Sequence, residues 1–206
     1  WYAYLEVSPP DPWYNNQTYV DTLNKKAMDR FIEITYEAYQ QAVGEQFGKT
    51  IPSIFTDEPQ FAHKVPLRFP DEEADAFLPW TDDFPKTFQT AYGEDIFERL
   101  PELFWELSGE KVSATRYRYH DHVAERFTQA FADNCGEWCR AHGLLLTGHM
   151  MEEPTLQSQT AALGEAMRAY RSFGLPGVDI LVNSYEYTTV KQAASASHQY
   201  GREGVL

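Results

Sequence analysis

The sequence predicts an α/β fold in which helices cross over a parallel sheet, and three observations predict it. Short apolar runs alternate with longer amphipathic ones in the order β-α-β-αα-β-α-β-α-β, the pattern of parallel strands joined by helical crossovers. Polar residues gather directly after the apolar runs, at Asp57-Glu58, His149 to Glu153 and Asn183 to Tyr187. Sites of parallel α/β folds lie at those carboxyl ends. The composition is globular: 206 residues, 43% hydrophobic and 23% charged, one ordinary domain or part of a larger one.

The elements follow in order. Trp1 to Val7 reads as a strand stopped by Ser8-Pro9-Pro10. Asn24 to Val43 reads as a helix, with Ala27, Phe31, Ile34, Ala38 and Ala42 on one face, N-cap residues before it and Gly44 after it. Ile51 to Thr56 is a short strand ending in Asp57-Glu58-Pro59. The next stretch holds Pro59, Pro66, Pro70, Pro79 and Pro85, a density that opposes regular structure. Helices are expected over Phe84 to Leu107 and Val112 to His142, the second with Tyr117, Val123, Phe127, Phe131, Cys135 and Trp138 at helical spacing. Leu144 to Gly148 is a strand, Thr160 to Phe173 a helix, Val178 to Val182 a strand and Val190 to Tyr200 a helix. Gly204 to Leu206 opens one more strand.

Charge narrows the partners. There are 31 acidic residues against 17 Lys plus Arg, a formal charge of −14. Such a field repels phosphate backbones and anionic lipid, so neither nucleic acid nor a membrane is an expected partner. No apolar run is long enough to span a bilayer. Cys135 and Cys139 sit one helical turn apart in a poor geometry for a bridge. Two free thiols favour a reducing compartment such as the cytoplasm. The start at Trp1 reads as trimmed from something longer. Aromatic residues reach 15%, an excess that suits a ring-rich core and also the ring platforms of sugar sites.

Three clusters carry candidate chemistry. Glu58 ends a strand beside Asp57, and two adjacent carboxyl groups hold one proton more tightly, which suits a general acid. Read plainly, Glu58 is a loop carboxylate that caps a turn. His149 and Glu152-Glu153 follow the next strand, where His149 suits a hydroxyl contact or a proton relay. Asn183, Glu186 and Tyr187 combine hydrogen-bonding groups with a ring. His120 and His122 point about 200° apart on a helix and cannot share a metal. No Gly-rich phosphate loop and no serine-nucleophile elbow is present, and the cysteines look buried. Carboxylate chemistry at strand ends remains, as glycoside hydrolysis uses.

Several stretches carry a resemblance: Tyr19-Val20-Asp21-Thr22-Leu23-Asn24 through Ile54-Phe55-Thr56-Asp57-Glu58-Pro59, then Thr147-Gly148-His149 with Glu152, Gly177-Val178-Asp179, and Lys191 to Gly201. The chain resembles bacterial (β/α)8-barrel glycoside hydrolases, large glycosyl hydrolases distantly like the α-L-rhamnosidase and β-galactosidase barrels. The resemblance implies a partial TIM barrel of roughly strands three to seven, with residues 1–206 as one catalytic region of a larger multidomain enzyme. It makes Glu58, closing strand four, the acid/base. Asp57 stands where Asn usually precedes that residue, a departure that puts the usual contact to the sugar 2-hydroxyl in doubt.

On this reading Glu58, Asp57 and Glu152 are catalytic. The second carboxylate is Glu152 or lies beyond Leu206. His149, Glu153, Asn183, Glu186 and Tyr187 bind a carbohydrate substrate, with no cofactor and no metal. A half barrel leaves two sheet edges open, so a homodimer through those edges is expected. Two alternatives stand beside it. One is a non-catalytic carbohydrate-binding module on a truncated barrel. The other is a metal-dependent hydrolase with His149, Asp57 and Glu152 as ligands.

Overall fold

Local capping sets the helices. Asn24 Oδ1 accepts the Lys26 N–H and starts α1 (Lys25–Val43). Its buried stripe is Met28, Ile32 and Tyr36, four residues apart, while Ile34 and Tyr39 lie on the exposed side. Ser113 Oγ accepts the Arg116 N–H and starts α5 (Ala114–Phe127). That helix runs through a π turn at Thr128–Asp133 into α6 (Asn134–Ala141), and Gly143, with φ of +70°, ends it. The expected helix over Phe84 to Leu107 is broken into α2 (Phe84–Tyr92), α3 (Ile96–Arg99) and α4 (Pro101–Phe104). Gly93 closes α2 in the left-handed conformation, and Pro101 cannot continue α3. Gly164, with φ of +87°, similarly divides the expected Thr160 to Phe173 helix into α7 (Leu156–Ala162) and α8 (Ala166–Ala169). The final helix is α9 (Tyr187–Gln199).

The structure, a computed structural model, describes residues 2–69, 71–109, 111–180 and 185–206. Its sheet has three parallel strands, β1 (Ser53–Asp57), β2 (Leu145–His149) and β3 (Leu175–Pro176), adjacent in that order. The register sets Ser53 opposite Leu145 and Asp57 opposite His149. Leu206 adds two backbone hydrogen bonds beside β3, donating to Pro176 O at 2.9 Å and accepting from Val178 N at 3.2 Å.

The partial TIM barrel of strands three to seven does not form; the fold is a largely helical α/β one around a small sheet. The reason lies in pairing. Residues 2–7 have no strand partner among the described residues and stay exposed, Tyr2 at 98%. Residues 178–180 leave the ladder after β3, and the rest of that expected strand lies outside the described residues. An apolar run becomes a strand only where a neighbour satisfies its backbone.

The core sits on one face of the sheet. Leu146 is buried and Ile54 packs against the same core, whereas Phe55 and Leu145 on the opposite face are 51% and 45% exposed. A ring cluster fills the core between α2 and α5, with Phe84, Phe88 and Tyr119 fully enclosed. His122 lies within it, edge-on to Phe84, Phe88 and Tyr92, with Nε2 2.9 Å from Thr87 Oγ1. Two arginines lock α5, the π turn and α8 together. Arg168 reaches Asp121, Glu125 and Glu165, and Arg171 reaches Glu125 and Asp133. Both cysteines are free thiols in the core, and burial pushes each up to about 12. No helix among the described residues is long and apolar enough to cross a membrane.

Gly148 has φ of +128°, and a Cβ there would meet Thr56 O at 1.9 Å. Gly148→Ala is expected to lower unfolding free energy by about 3 kcal/mol or more, read by urea denaturation. Burial, and then Arg126, pulls His122 down to about 4, against smaller opposing effects of Asp121, Asp83 and Glu125. An unfolded histidine titrates near 6.5 (about the model-peptide value), so the unfolded chain takes up protons first as pH falls. Stability from His122 is therefore complete above pH ~6.5 and is lost towards about pH 4. Melting temperature should fall across that window, and His122→Gln should flatten the fall.

Candidate functional site

The parallel register builds the site at the carboxyl ends of the strands. Because Asp57 lies opposite His149, their side chains emerge on the same face, and Asp57 Oδ1 sits 3.2 Å from His149 Nε2. The His149 side chain is only 10% exposed and its ring meets Phe55 edge-on at 5.7 Å. With one ring nitrogen against Asp57, the other, Nδ1, is buried and has no hydrogen-bond partner among the described residues. A buried nitrogen without a partner costs about 1–3 kcal/mol, a cost expected where a ligand completes the site.

Glu58 leaves β1 in the left-handed region, with φ of +46°, ahead of the buried Pro59. A glutamate in that conformation carries strain of about 1–3 kcal/mol, as residues at functional turns do. The turn aims Glu58 out of the strand's alternation and towards β2. Carboxylate oxygens of Glu58 and Asp179 and a ring nitrogen of His149 all lie within 4.8 Å of one another. Two carboxylates and an imidazole at this spacing can share a proton, bracket a substrate atom or hold a cation.

Glu153 places Asp179. It is 4% exposed, and its Oε1 accepts the Asp179 N–H at 3.0 Å. Its Oε2 lies 3.1 Å from the Tyr170 hydroxyl, which also lies 2.8 Å from Gly177 O. Burial raises the Glu153 pKa, opposed by the Asp179 N–H, Tyr170 and His149. Both Glu153 oxygens therefore accept, Oε1 from the Asp179 N–H and Oε2 from the Tyr170 hydroxyl, which also lies within reach of Gly177 O.

The sequence-predicted residues thus separate. Asp57, Glu58 and His149 come together. Glu153 is a buried support beneath them. Glu152 is exposed at φ of +55°, its backbone carbonyl accepting from Ser158 Oγ, and it stands outside the three-group cluster. The metal set His149, Asp57 and Glu152 does not assemble; Glu58 and Asp179 take the places of Asp57 and Glu152. Glu186 is half-buried just before α9 and makes no side-chain cap. Tyr187 is 74% exposed and its ring lies parallel to that of Tyr185, with centroids 6.2 Å apart. Asn183 lies outside the described residues. Asp179 is the site residue that sequence reasoning missed. Its signal was one acid inside an apolar run, Val178-Asp179-Ile180, after a glycine.

Comparison with known proteins gives a fold likeness. No family model and no curated protein matches the sequence. Among solved structures, a rhamnosidase from Novosphingobium sp. PP1Y is similar with a TM-score of 0.63 and 18% identity, over 89% of this chain and 17% of that one. The chain therefore spans well under a quarter of the protein it matches, and at that identity the likeness is one of fold.

The two neighbouring glutamates should differ sharply. Glu153→Ala removes the acceptor of the Asp179 N–H and is expected to cost about 2–4 kcal/mol in urea unfolding. Glu152→Ala, at an exposed position, should stay within about 0.5 kcal/mol of the parent.

Proposed function

We propose that the protein acts on glycosides, with Glu58 as the general acid/base and Asp179 as its partner carboxylate. The observation that carries this reading is the spacing: Glu58 after β1 and Asp179 after β3 have carboxylate oxygens within 4.8 Å, with His149 at the end of the strand between them, β2. Retaining glycosidases hold their carboxyl groups about 5–5.5 Å apart and inverting ones about 6.5–9.5 Å. The short spacing supports a retaining reaction. Glu58 protonates the leaving oxygen while Asp179 attacks the anomeric carbon, and Glu58 then takes the proton from the water that releases the sugar. Asp57, against His149 Nε2, fixes the ring. The exposed rings of Tyr185 and Tyr187 suit the apolar face of a sugar. The fold likeness to a protein named a rhamnosidase makes α-L-rhamnosides the first substrates to try.

A second reading is favoured by one observation, the unpartnered Nδ1 of His149. A histidine that ligates a metal commonly gives its other N–H to a carboxylate, as Asp57 stands ready to accept. Glu58, His149 and Asp179 would then hold a divalent cation and leave open positions for water. The two readings conflict at Glu58, because a metal-bound carboxylate does not carry the proton a general acid needs.

Aryl glycosides of several sugars, incubated with the parent protein and with Glu58→Gln, separate these readings. Acid/base catalysis predicts hydrolysis with retention at the anomeric carbon by NMR, a loss of about two orders of magnitude or more in Glu58→Gln, and no effect of EDTA. Loss on EDTA with recovery on added Mn²⁺ or Zn²⁺ selects the metal reading. Equal rates for parent and variant contradict both.

A further inference from the structure

A second feature lies at the opposite end of the sheet. Beside the first residues of β2 and β3 is a cavity of about 270 Å³ whose walls include Leu145, Gly174 and Leu175 and also Arg140 and Arg202. Leu145 starts the strand that His149 ends. Four steps of about 3.3 Å put roughly 13 Å between the cavity and the candidate site.

The arginines set this cavity apart. The chain has ten of them, in a molecule of net charge −14. Arg30, Arg68, Arg99, Arg116, Arg118, Arg126, Arg168 and Arg171 each pair with a carboxylate. Arg140 and Arg202 pair with none among the described residues, and both line this cavity. Asp133, the carboxylate that feels Arg140, is already committed to Arg171 and Ser172. Arg202 gives one Nη2 hydrogen bond to Arg171 O at 2.7 Å, while its Nε is buried and has no hydrogen-bond partner. Glu203 is exposed at the rim and pairs with neither. With 31 acidic residues in the chain, two arginines left unpaired at one apolar cavity are not explained by a shortage of partners.

We propose that this cavity binds a small organic carboxylate with an apolar body. The guanidinium groups of Arg202 and Arg140, both of which line the cavity, take the carboxylate. The leucine side chains take the apolar part, and the volume limits the ligand to about the size of a benzoate or a short branched acid. The site is independent of the glycoside reading, since it shares no residue with the candidate site.

Isothermal titration of the protein with benzoate, and separately with inorganic phosphate and with benzyl alcohol, tests it. The expected result is saturable 1:1 binding of benzoate, about tenfold or more weaker in Arg140→Gln and in Arg202→Gln, with benzyl alcohol not binding. Arg202 also holds a backbone carbonyl, so Arg202→Gln is checked by circular dichroism. Arg140 is exposed and makes no side-chain hydrogen bond, so Arg140→Gln keeps the test decisive if Arg202→Gln fails to fold. Benzoate binding unchanged in Arg140→Gln, no benzoate binding at millimolar concentration, or tighter binding of phosphate than of benzoate would each overturn the proposal.

Discussion

Everything at the candidate site depends on how closely β1 and β2 approach. Gly148 sits in a backbone conformation that side chains resist, and its Cα lies so near Thr56 that a Cβ would overlap the Thr56 carbonyl. That approach fixes the ladder, and the ladder fixes the register Asp57 to His149. From the register come the Asp57–His149 contact and the placement of Glu58 one residue beyond the strand. Gly177, directly after β3, makes a similar close approach, since a Cβ there would meet Gly148 O at 2.6 Å. Its close passage lets Asp179 reach the same point. A glycine inside a strand weakens it, as Gly148 does in β2, and here Gly148 and Gly177 allow three chain segments to converge.

The site itself was legible in the sequence where chemistry followed an apolar run directly. Asp57, Glu58 and His149 come directly at the ends of short apolar segments, and local pattern suffices to read that. Glu153 was legible as polar but not as buried, because its burial depends on Tyr170, seventeen residues away in the chain. Asp179 was hidden for the opposite reason: the run around it reads as a strand interior, and only the departure of the chain from the ladder after Pro176 turns it into a strand-end residue. The fold was legible as α/β, but its extent was not. Trp1 to Val7 has the composition of a strand, yet strand formation is a property of pairs. Helix lengths failed at Gly93, Pro101 and Gly164, where backbone breakers outweigh apolar periodicity that runs on either side of them.

The sheet also divides the molecule by charge. Its carboxyl end gathers acids and an imidazole; its amino end holds two arginines that the acidic majority does not neutralise. Between them Phe55 and Leu145 leave apolar surface on a face that parallel sheets usually cover. The helical side is packed and cross-tied by Arg168 and Arg171, so the uncovered face is where chemistry and binding have room to occur.

Glu58 and Asp179 meet at His149. The ring ¹⁵N resonances of His149 test it most directly, followed in the parent protein, Glu58→Gln and Asp179→Asn, with His122 as an internal reference. Convergence predicts that each substitution moves the His149 resonances and leaves those of His122 in place. His149 resonances that stay put in both variants would contradict it.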